Sequence, residues 1–338
     1  MVKILAIESS CDETAAAVVA DGTKVLSNII NSQADLHSKY GGVVPEVASR
    51  LHVECIDAVV TEALEQADTS LDEIDAVAVT FAPGLIGSLL VGLSYGKALA
   101  FAAKKPLIGV HHIEGHICAN YLNGLKPPYV ALVVSGGHSH IIKATDYRCY
   151  EILGKTRDDA AGEAFDKVSR VLGFGYPGGP NIDRAAQKGV ADIAFTKPSF
   201  HDGSLDLSFS GIKTAVINHV HNLAQKGEPI VKENLAASFQ KTVVDILTDH
   251  TFEAVKKTGA KRVALAGGVA SNSALRAAFE ERSKKEKVEF FCPQPVFCTD
   301  NAAMIGAAAY HYYVRGEFSG MDLNAKPYLP INFKPEEL

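Results

Sequence analysis

One pattern, a strand followed by a small polar turn and a second strand, occurs twice in this 338-residue chain and constrains its fold more than any other feature. In residues 4–20, two apolar runs flank the turn Ser9-Ser10-Cys11-Asp12-Glu13-Thr14. In residues 129–144, two apolar runs flank the turn Ser135-Gly136-Gly137-His138-Ser139. Apolar runs of this length bounded by turn residues predict strands. The repeat therefore predicts a duplicated unit that begins with a β-hairpin.

Segments with helical periodicity alternate with single strands along the rest of the chain. The helical segments are 45–66, 87–103, 163–172, 231–258 and 273–287, and the single strands are 75–80, 106–110 and 262–266. This alternation predicts an α/β fold with mixed, largely buried sheets. We expect an N-terminal lobe over 1–128, a C-terminal lobe over 129–310, and a segment 311–338 that packs back on the first lobe. A cleft between the lobes is the expected place for a ligand.

Composition excludes several protein classes. With 47% hydrophobic and 21% charged residues the chain is neither disordered nor collagen-like. Its formal charge of −6 means that any contact with nucleic acid must come from a local patch or a partner. No apolar run reaches the roughly 18 residues of a membrane span, and no signal peptide is evident, so a cytoplasmic protein without membrane contact is expected. The six cysteines are scattered without a C-x-x-C pair, which predicts reduced thiols.

Two histidines four residues apart, His112 and His116, are expected on one face of a helix. Such a pair supplies two imidazoles to a metal, although surface histidines also occur at this spacing. Glu114 follows His112 by two places, so the protease motif H-E-x-x-H is absent. Asp300 precedes the apolar helical pattern 302–310, where it caps the helix or serves as a third ligand. Two imidazoles and a carboxylate suit iron or another divalent transition metal.

Two glycine-rich turns, Ser135-Gly136-Gly137-His138 and Gly267-Gly268-Val269, follow predicted strands, and the second opens a helix. Glycine lets backbone N–H groups approach phosphate oxygens closely. Either turn alone is also explained as a simple connection. Two of them at related places in a duplicated fold favour nucleotide binding, while the P-loop and Rossmann motifs are absent.

Three features between residues 158 and 183 have both a structural and a binding interpretation. Asp166 lies in an acid-rich helix start, where it complements the helix dipole or accepts a hydrogen bond from a ligand. The segment 176–180, Tyr-Pro-Gly-Gly-Pro, is too rigid and glycine-rich for a helix and predicts a ligand-facing loop or a sharp connection. Asp183 follows on a short helix, where its carboxylate either faces the same ligand or caps the helix.

Ten motifs in order from about residue 3 to 330 together resemble the bacterial TsaD family of tRNA N6-adenosine threonylcarbamoyltransferases, once called O-sialoglycoprotein endopeptidases. They are IESSCDET at 7–14, GGVVPE at 41–46, GL at 84–85, HxxxH at 112–116, VSGGH at 134–138, GEAFDK at 162–167, YPGGP at 176–180, SFSGIKT at 208–214, AGGV at 266–269 and CTDN at 298–301. No departure from the family's motifs is found.

The resemblance implies an ASKHA (actin/Hsp70-like) duplicated fold of two lobes with an interlobe cleft. It further implies one divalent metal per subunit on His112, His116 and Asp300, with iron as Fe²⁺ expected and zinc as the alternative. It implies an adenylate substrate held by a larger set: Val133, Val134, Ser135, Gly136, Gly137, Asp166, Gly179, Asp183 and Asn272. ATP, ADP and AMP are expected in the same cleft.

The implied reaction moves the threonylcarbamoyl group from threonylcarbamoyl-AMP to N6 of the adenosine next to the anticodon, in tRNAs that read codons beginning with A. The implied partners are tRNA, a TsaB-like paralogue and a TsaE-like ATPase. Three alternatives stay open at this point. A zinc metallopeptidase lacks its general-base glutamate, an ASKHA ATPase or sugar kinase leaves the His-His-Asp set unused, and a nucleotide-gated scaffold of the tRNA-modifying complex needs no catalysis.

Overall fold

The computed structural model describes residues 1–198, 200 and 202–333, which form two compact units. The first unit contains Met1–Pro127, Asp146–Tyr150 and the described residues from Pro293 onward. The second contains Pro128–Thr145 and the described part of Glu151–Cys292. Residues 293–310, which the sequence assigns to the second lobe, pack in the first unit, because their helix lies on the first sheet.

Ten strands and ten α-helices are found in the described residues. The strands are β1 (Lys3–Glu8), β2 (Glu13–Ala20), β3 (Lys24–Ser32), β4 (Ala76–Ala82), β5 (Leu107–His111), β6 (Tyr129–Val134), β7 (Ser139–Asp146), β8 (Cys149–Lys155), β9 (Arg262–Ala266) and β10 (Glu289–Phe291). The helices are α1 (Ala34–Ser38), α2 (Pro45–Gln66), α3 (Ile86–Ala103), α4 (His112–Cys118), α5 (Ala161–Leu172), α6 (Gly178–Ala186), α7 (Ser210–Lys226), α8 (Lys232–Thr258), α9 (Ser273–Glu286) and α10 (Ala302–Tyr313).

The two sheets have the same topology. The first sheet has the order β3-β2-β1-β4-β5, and the second, read from its opposite edge, has the order β8-β7-β6-β9-β10. In the first sheet β1 pairs antiparallel with β2 and parallel with β4. In the second sheet β6 pairs antiparallel with β7 and parallel with β9. The duplication expected from the repeated hairpin is therefore confirmed, as are the α/β class and the mixed sheets.

Helices cover both faces of the first sheet. Leu5 and Ile7 of β1 join the apolar core beneath α2 and α3, and burying each such side chain contributes roughly 1.5–3 kcal/mol. Ala6 points to the opposite face because successive strand residues alternate. There α10 packs closely, since a Cβ on Gly306 would lie 2.6 Å from Cγ2 of Val19 and 3.5 Å from Cβ of Ala6. This helix follows Asp300 in the chain, so the packing fixes the place of that residue.

The second unit is organised around β6, whose six residues are all buried. Aromatic side chains fill the space between the sheet and the helices. Phe165 of α5 meets Phe239 of α8 with ring centroids 5.2 Å apart, and Phe252 of α8 meets Phe279 of α9 at 5.3 Å. These contacts hold α5, α8 and α9 in one core, which fixes the helices that carry the predicted ligand-binding residues.

The helix α3 corrects one expectation. It is 18 residues long with a mean hydropathy of 1.4, so by length and composition it could cross a membrane. A core helix passes the same test, and α3 packs on the first sheet so closely that a Cβ on Gly96 would collide with Val79. Its buried positions recur on the face towards the sheet. The buried face of α3 thus contributes to the core.

The six cysteines carry free thiols, as the sequence predicts.

Candidate functional site

The histidine pair lies on a short buried helix of the first unit. α4 begins at His112, and the imidazole of His111 caps it by accepting a hydrogen bond from Ile113 N at 3.2 Å. The spacing of four residues brings the rings of His112 and His116 together, with centroids 4.6 Å apart. Both side chains are buried, so they are not surface histidines.

Asp300 joins the histidines from the loop before α10. Its Oδ1 lies 3.2 Å from Nε2 of His116 and 3.6 Å from Nε2 of His112. The three potential ligand atoms all lie within 4.8 Å of one another. Asn301 caps α10 by accepting a hydrogen bond from Met304 N at 3.0 Å. The capping interpretation of Asp300 is therefore wrong, and its carboxylate faces the histidines.

The surroundings of the group fit a metal ion. His116 is fully buried, and neither of its ring nitrogens has a hydrogen-bond partner within the described part of the chain. A buried polar atom without a partner costs roughly 1–3 kcal/mol, and a metal bond to Nε2 would remove that cost. Two imidazoles and one carboxylate are donors that divalent transition metals prefer. The group could therefore hold a divalent metal ion.

Charges around the group shift the pKa values of its members. Burial lowers the pKa of His112, but Asp300 and Glu8 outweigh burial and raise that pKa to about 9. Burial raises the pKa of Glu8, but His112 outweighs burial and leaves that pKa below its ordinary value. Burial, Asp300 and Asp12 together raise the pKa of Glu13 well above its ordinary value. The carboxylates crowd one another, which favours a cation among them.

Glu114 lies between the two histidines in the sequence but is engaged elsewhere. Its carboxylate accepts hydrogen bonds from the hydroxyl groups of Tyr312, at 2.6 Å, and Tyr150, at 3.2 Å. Nε of Arg148 lies 4.0 Å from this carboxylate, and the guanidinium covers the Tyr312 ring. Burial raises the pKa of Glu114 despite these partners. Glu114 thus ties α4 to α10, which agrees with the expected absence of a peptidase base.

The first predicted glycine turn follows β6 in the second unit. Val133 and Val134 have fully buried side chains, so only their backbone groups can reach a ligand. Ser135 N closes the turn by donating to His138 O at 2.8 Å. The Gly136-Gly137 pair is exposed, and a Cβ built on either residue meets no described atom within 4 Å. The turn therefore borders open space, as a backbone that approaches a ligand requires.

The second glycine turn lies beside the first. β9 pairs with β6 in parallel, with Ala266 opposite Val133, so both turns leave the same end of the sheet. Gly267 has a φ of +87°, and a Cβ there would lie 2.8 Å from the carbonyl carbon of Val134. This position therefore requires glycine both for its conformation and for its close approach. A Cβ on Gly268 meets nothing described within 4 Å, so this turn borders open space too.

The segment 176–180 differs from its prediction, because α6 begins at Gly178. Pro180 lies in the first turn, where a missing N–H is tolerated. Gly178 packs directly on α5, and its N–H donates to Oδ1 of Asp166 at 2.7 Å. The loop interpretation is therefore wrong for the last three residues of the segment. A Cβ on Gly179 meets no described atom within 4 Å, so this glycine also borders open space.

Asp183 and Asn272 each accept hydrogen bonds from residues at the start of α9. The Asp183 carboxylate accepts hydrogen bonds from Oγ of Ser273, at 2.8 Å, and from its backbone N, at 3.2 Å. Asn272 caps α9 by accepting from Leu275 N at 3.0 Å, and it donates to Oε1 of Gln240 at 2.8 Å. Asp183 therefore caps α9 rather than its own helix.

The contacts of the second unit bring the predicted adenylate residues together. α5 starts against the first glycine turn, where Gly162 N donates to Ser135 O at 3.2 Å. Asp166 connects α5 to α6, and Asp183 connects α6 to α9. The carboxylates of Asp166 and Asp183 thus accept from backbone N–H groups at the starts of α6 and α9, where helix dipoles favour negative charge.

Sequence reasoning missed Glu8. This fully buried carboxylate ends β1, and its Oε2 lies 3.1 Å from Nδ1 of His112. The available signal was a single acid at the end of an apolar strand, directly before a polar turn.

Solved structures of low sequence identity share this fold. Component A of (R)-2-hydroxyglutaryl-CoA dehydratase from Acidaminococcus fermentans gives a TM-score of 0.55 at 14% identity, covering 93% of this chain and 100% of that chain. HypF from T. kodakarensis gives a TM-score of 0.64 at 15% identity, covering 95% of this chain and 49% of that chain. These similarities concern the fold alone.

Sequence comparison identifies the family. A curated relative from Clostridium perfringens (strain SM101 / Type A), named tRNA N6-adenosine threonylcarbamoyltransferase, is 59% identical over 331 residues, which are 97% of this chain and 98% of the relative. A relative of the same name from Clostridium novyi (strain NT) is 57% identical over 334 residues, 98% of each chain. The family model described as TsaD: tRNA N6-adenosine threonylcarbamoyltransferase matches residues 24–307. The chain therefore belongs to the TsaD family of tRNA N6-adenosine threonylcarbamoyltransferases.

Proposed function

We propose that this chain transfers the threonylcarbamoyl group from threonylcarbamoyl-AMP to N6 of the adenosine next to the anticodon, forming t6A in tRNAs that read codons beginning with A. Membership of the TsaD family supports the activity. The single observation that carries the site is the close approach of His112, His116 and Asp300. An ATPase or a nucleotide-gated scaffold is not favoured, because the relatives are named as transferases.

The metal proposed for this group is one iron ion per subunit, as Fe²⁺, with zinc as the alternative. His112 and His116 would bind it through Nε2, and Asp300 through a carboxylate oxygen. Three protein ligands leave coordination positions open, and two imidazoles with a carboxylate suit ferrous iron. When bound, the metal supplies a Lewis acid that polarises a carbonyl or phosphoryl oxygen.

The adenylate is proposed to bind in the second unit, along the two glycine turns. The open space beside Gly136, Gly137 and Gly179 supports this proposal, because ligand atoms could approach the backbone there. Backbone groups of Val133, Val134 and Ser135 would contact the nucleotide. The side chains of Asp166, Asp183 and Asn272 hydrogen-bond the starts of the surrounding helices. We propose that they also form hydrogen bonds with the nucleotide. ATP, ADP and AMP share this nucleotide part and are expected to compete.

The proposed reaction is acyl transfer. The exocyclic amine attacks the carbonyl carbon of a mixed carbonic–phosphoric anhydride, a C–N bond forms, and the C–O bond to the phosphate breaks. AMP departs with the electron pair, and the amine loses one proton. An adenine amine is a poor nucleophile, so we expect orientation and charge stabilisation to supply most of the rate enhancement. Backbone N–H groups of Gly136 and Gly137 would stabilise the charge on the leaving phosphate.

Partner proteins are proposed to assist tRNA binding. The formal charge of −6 does not provide an attractive field for tRNA, and the lysines and arginines cluster only locally. A TsaB-like paralogue and a TsaE-like ATPase are therefore proposed as partners, in the cytoplasm. tRNA binding should depend more steeply on salt concentration when the partners add phosphate contacts.

The test compares transfer of radiolabelled threonylcarbamoyl to unmodified tRNA by the chain with its partners and by three variants. His116→Ala and Asp300→Ala should lose both the metal, measured by elemental analysis, and the transfer of label. His221→Ala, which changes an exposed histidine of α7, is the matched control and should retain both. Circular dichroism checks that each variant is folded. Full transfer by a metal-free, folded His116→Ala variant would contradict the proposed site.

A further inference from the structure

Glu8 is a buried carboxylate that the proposed transfer does not use. It is the last residue of β1 and has no exposed surface. Burying a carboxylate is unfavourable unless hydrogen bonds compensate its lost hydration. Three donors surround it: Ser10 N at 2.5 Å, the Thr80 hydroxyl at 2.6 Å, and Nδ1 of His112 at 3.1 Å. The first two donors come from the first sheet and the turn after β1, so they fix the carboxylate in place.

His112 faces this carboxylate with one nitrogen and the proposed metal position with the other. Nδ1 lies 3.1 Å from Oε2 of Glu8 and 3.1 Å from Oγ of Ser10. Nε2 points towards Asp300, whose Oδ1 is 3.6 Å away. A neutral imidazole that donates from Nδ1 to a carboxylate keeps its lone pair on Nε2, the form in which it can bind a metal.

The two histidines of the group therefore differ in the hydrogen-bond partners of their ring nitrogens. His116 has no hydrogen-bond partner for either ring nitrogen among the described residues, whereas His112 has two neighbours at Nδ1. We propose that Glu8 is a positioning residue, which fixes His112 in the tautomer with hydrogen on Nδ1 and directs Nε2 at the metal. This inference rests on the proposed metal site.

The hydrogen bonds of Glu8 also explain why a carboxylate is suited to this position. Its two oxygens accept from three donors at once, whereas a glutamine has one acceptor oxygen and carries no charge. Partners of this kind raise the basicity of the imidazole and fix its orientation, and their loss typically weakens metal binding about 10–100-fold. Ser10 also touches Nδ1, but its hydroxyl is neutral, so its loss should have a smaller effect.

The first experiment measures Zn²⁺ affinity by competition with a chromophoric chelator. The full chain is compared with its Glu8→Gln, Ser10→Ala and His116→Ala variants. We expect Glu8→Gln to weaken binding about 10–100-fold, Ser10→Ala to weaken it less, and His116→Ala to abolish it. Equal Zn²⁺ affinities of the wild type and Glu8→Gln would overturn the role of Glu8 but leave the metal site intact. So would a Ser10→Ala variant that binds Zn²⁺ more weakly than Glu8→Gln does. Unchanged binding by His116→Ala would overturn the metal site, and the role of Glu8 with it.

A second experiment does not require a folded Glu8 variant. The wild-type chain is labelled with ¹⁵N-histidine and loaded with Zn²⁺, and the His112 signals are assigned by their disappearance in His112→Gln. The expected spectrum has a protonated Nδ1 and a zinc-bound Nε2 on His112. A protonated Nε2, or zinc on Nδ1, would overturn the proposal, because neither allows donation from Nδ1 to Glu8. This spectrum tests which ring nitrogen faces Glu8 and which faces the metal, and the affinity of Glu8→Gln tests the contribution of the carboxylate.

Discussion

Two adjacent glycines at the start of α6 should respond oppositely to the same substitution. Gly178 packs on α5, and a Cβ there would lie 2.6 Å from Phe165 O and 2.7 Å from Asp166 N. Gly179 has no described atom within 4 Å of such a Cβ. Cα of Asp166 obstructs this position as well, and all three atoms belong to the backbone, so they cannot move aside as a flexible side chain would.

The size of the effect can be worked out from these contacts. To restore ordinary contact, α6 must move away from α5 by about 1 Å, and overpacking of this kind costs roughly 1–3 kcal/mol. The shift also weakens the hydrogen bond from Gly178 N to Asp166, at 2.7 Å, which contributes about 1 kcal/mol or more. Gly178→Ala should therefore destabilise the chain by about 2–4 kcal/mol. Gly179→Ala should be neutral or stabilising by up to about 1 kcal/mol, because alanine restricts the unfolded chain more than glycine does.

Urea denaturation of the two variants and the wild type tests this expectation. Gly178→Ala should unfold at a clearly lower urea concentration, and Gly179→Ala at or above the wild-type midpoint. Isothermal titration with AMP then tests the adenylate site, since a methyl group in ligand space should weaken binding at least about tenfold, or 1.4 kcal/mol, in Gly179→Ala. Equal stability of the two variants would refute the packing argument. Unchanged AMP affinity in Gly179→Ala would refute the placement of the ligand.

Two further predictions concern stability. Tyr312→Phe should destabilise the chain by roughly 1–3 kcal/mol, because it removes the 2.6 Å hydrogen bond to the buried Glu114, and denaturation against the control Tyr313→Phe measures the difference. Burial and the charge of Lys155 lower the pKa of His140 in the folded chain to about 4. As pH falls, His140 is therefore protonated in the unfolded chain, near pH 6.5, before it is protonated in the folded chain. Stability from this residue is complete above pH 6.5 and decreases as pH falls towards 4, by on the order of 1 kcal/mol between pH 7 and 5. The variant His140→Phe should show a shallower acid dependence, and an unchanged slope would contradict the assignment.

Local sequence signals sufficed for much of the architecture. The predicted helix 45–66 and the strands 129–134 and 262–266 have the same bounds in the structure, because apolar periodicity and flanking Pro or Gly residues mark them. The pairing of β6 with β9 joins segments more than 120 residues apart, so the local sequence did not predict it.

The errors arose where tertiary contacts override local preference. The segment 176–180 starts a helix because Gly178 packs on α5 and Asp166 accepts its N–H, and neither contact is visible in the local sequence. Asp300 was ambiguous beside Asn301, since both are good helix caps, and only the position of the histidines separates their roles. Glu8 was missed because its partner His112 is 104 residues away in the sequence.

The most direct test of the proposed reaction is the chemical fate of one adenosine. Unmodified tRNA reading codons that begin with A is incubated with threonylcarbamoyl-AMP, the chain and its partners, and its nucleosides are examined by mass spectrometry. A matched tRNA carries guanosine next to the anticodon and so lacks the N6 amine. We predict t6A in the first tRNA, stoichiometric release of AMP, and no modification of the second. Nucleotide hydrolysis without t6A, or equal labelling of both tRNAs, would contradict transfer to N6.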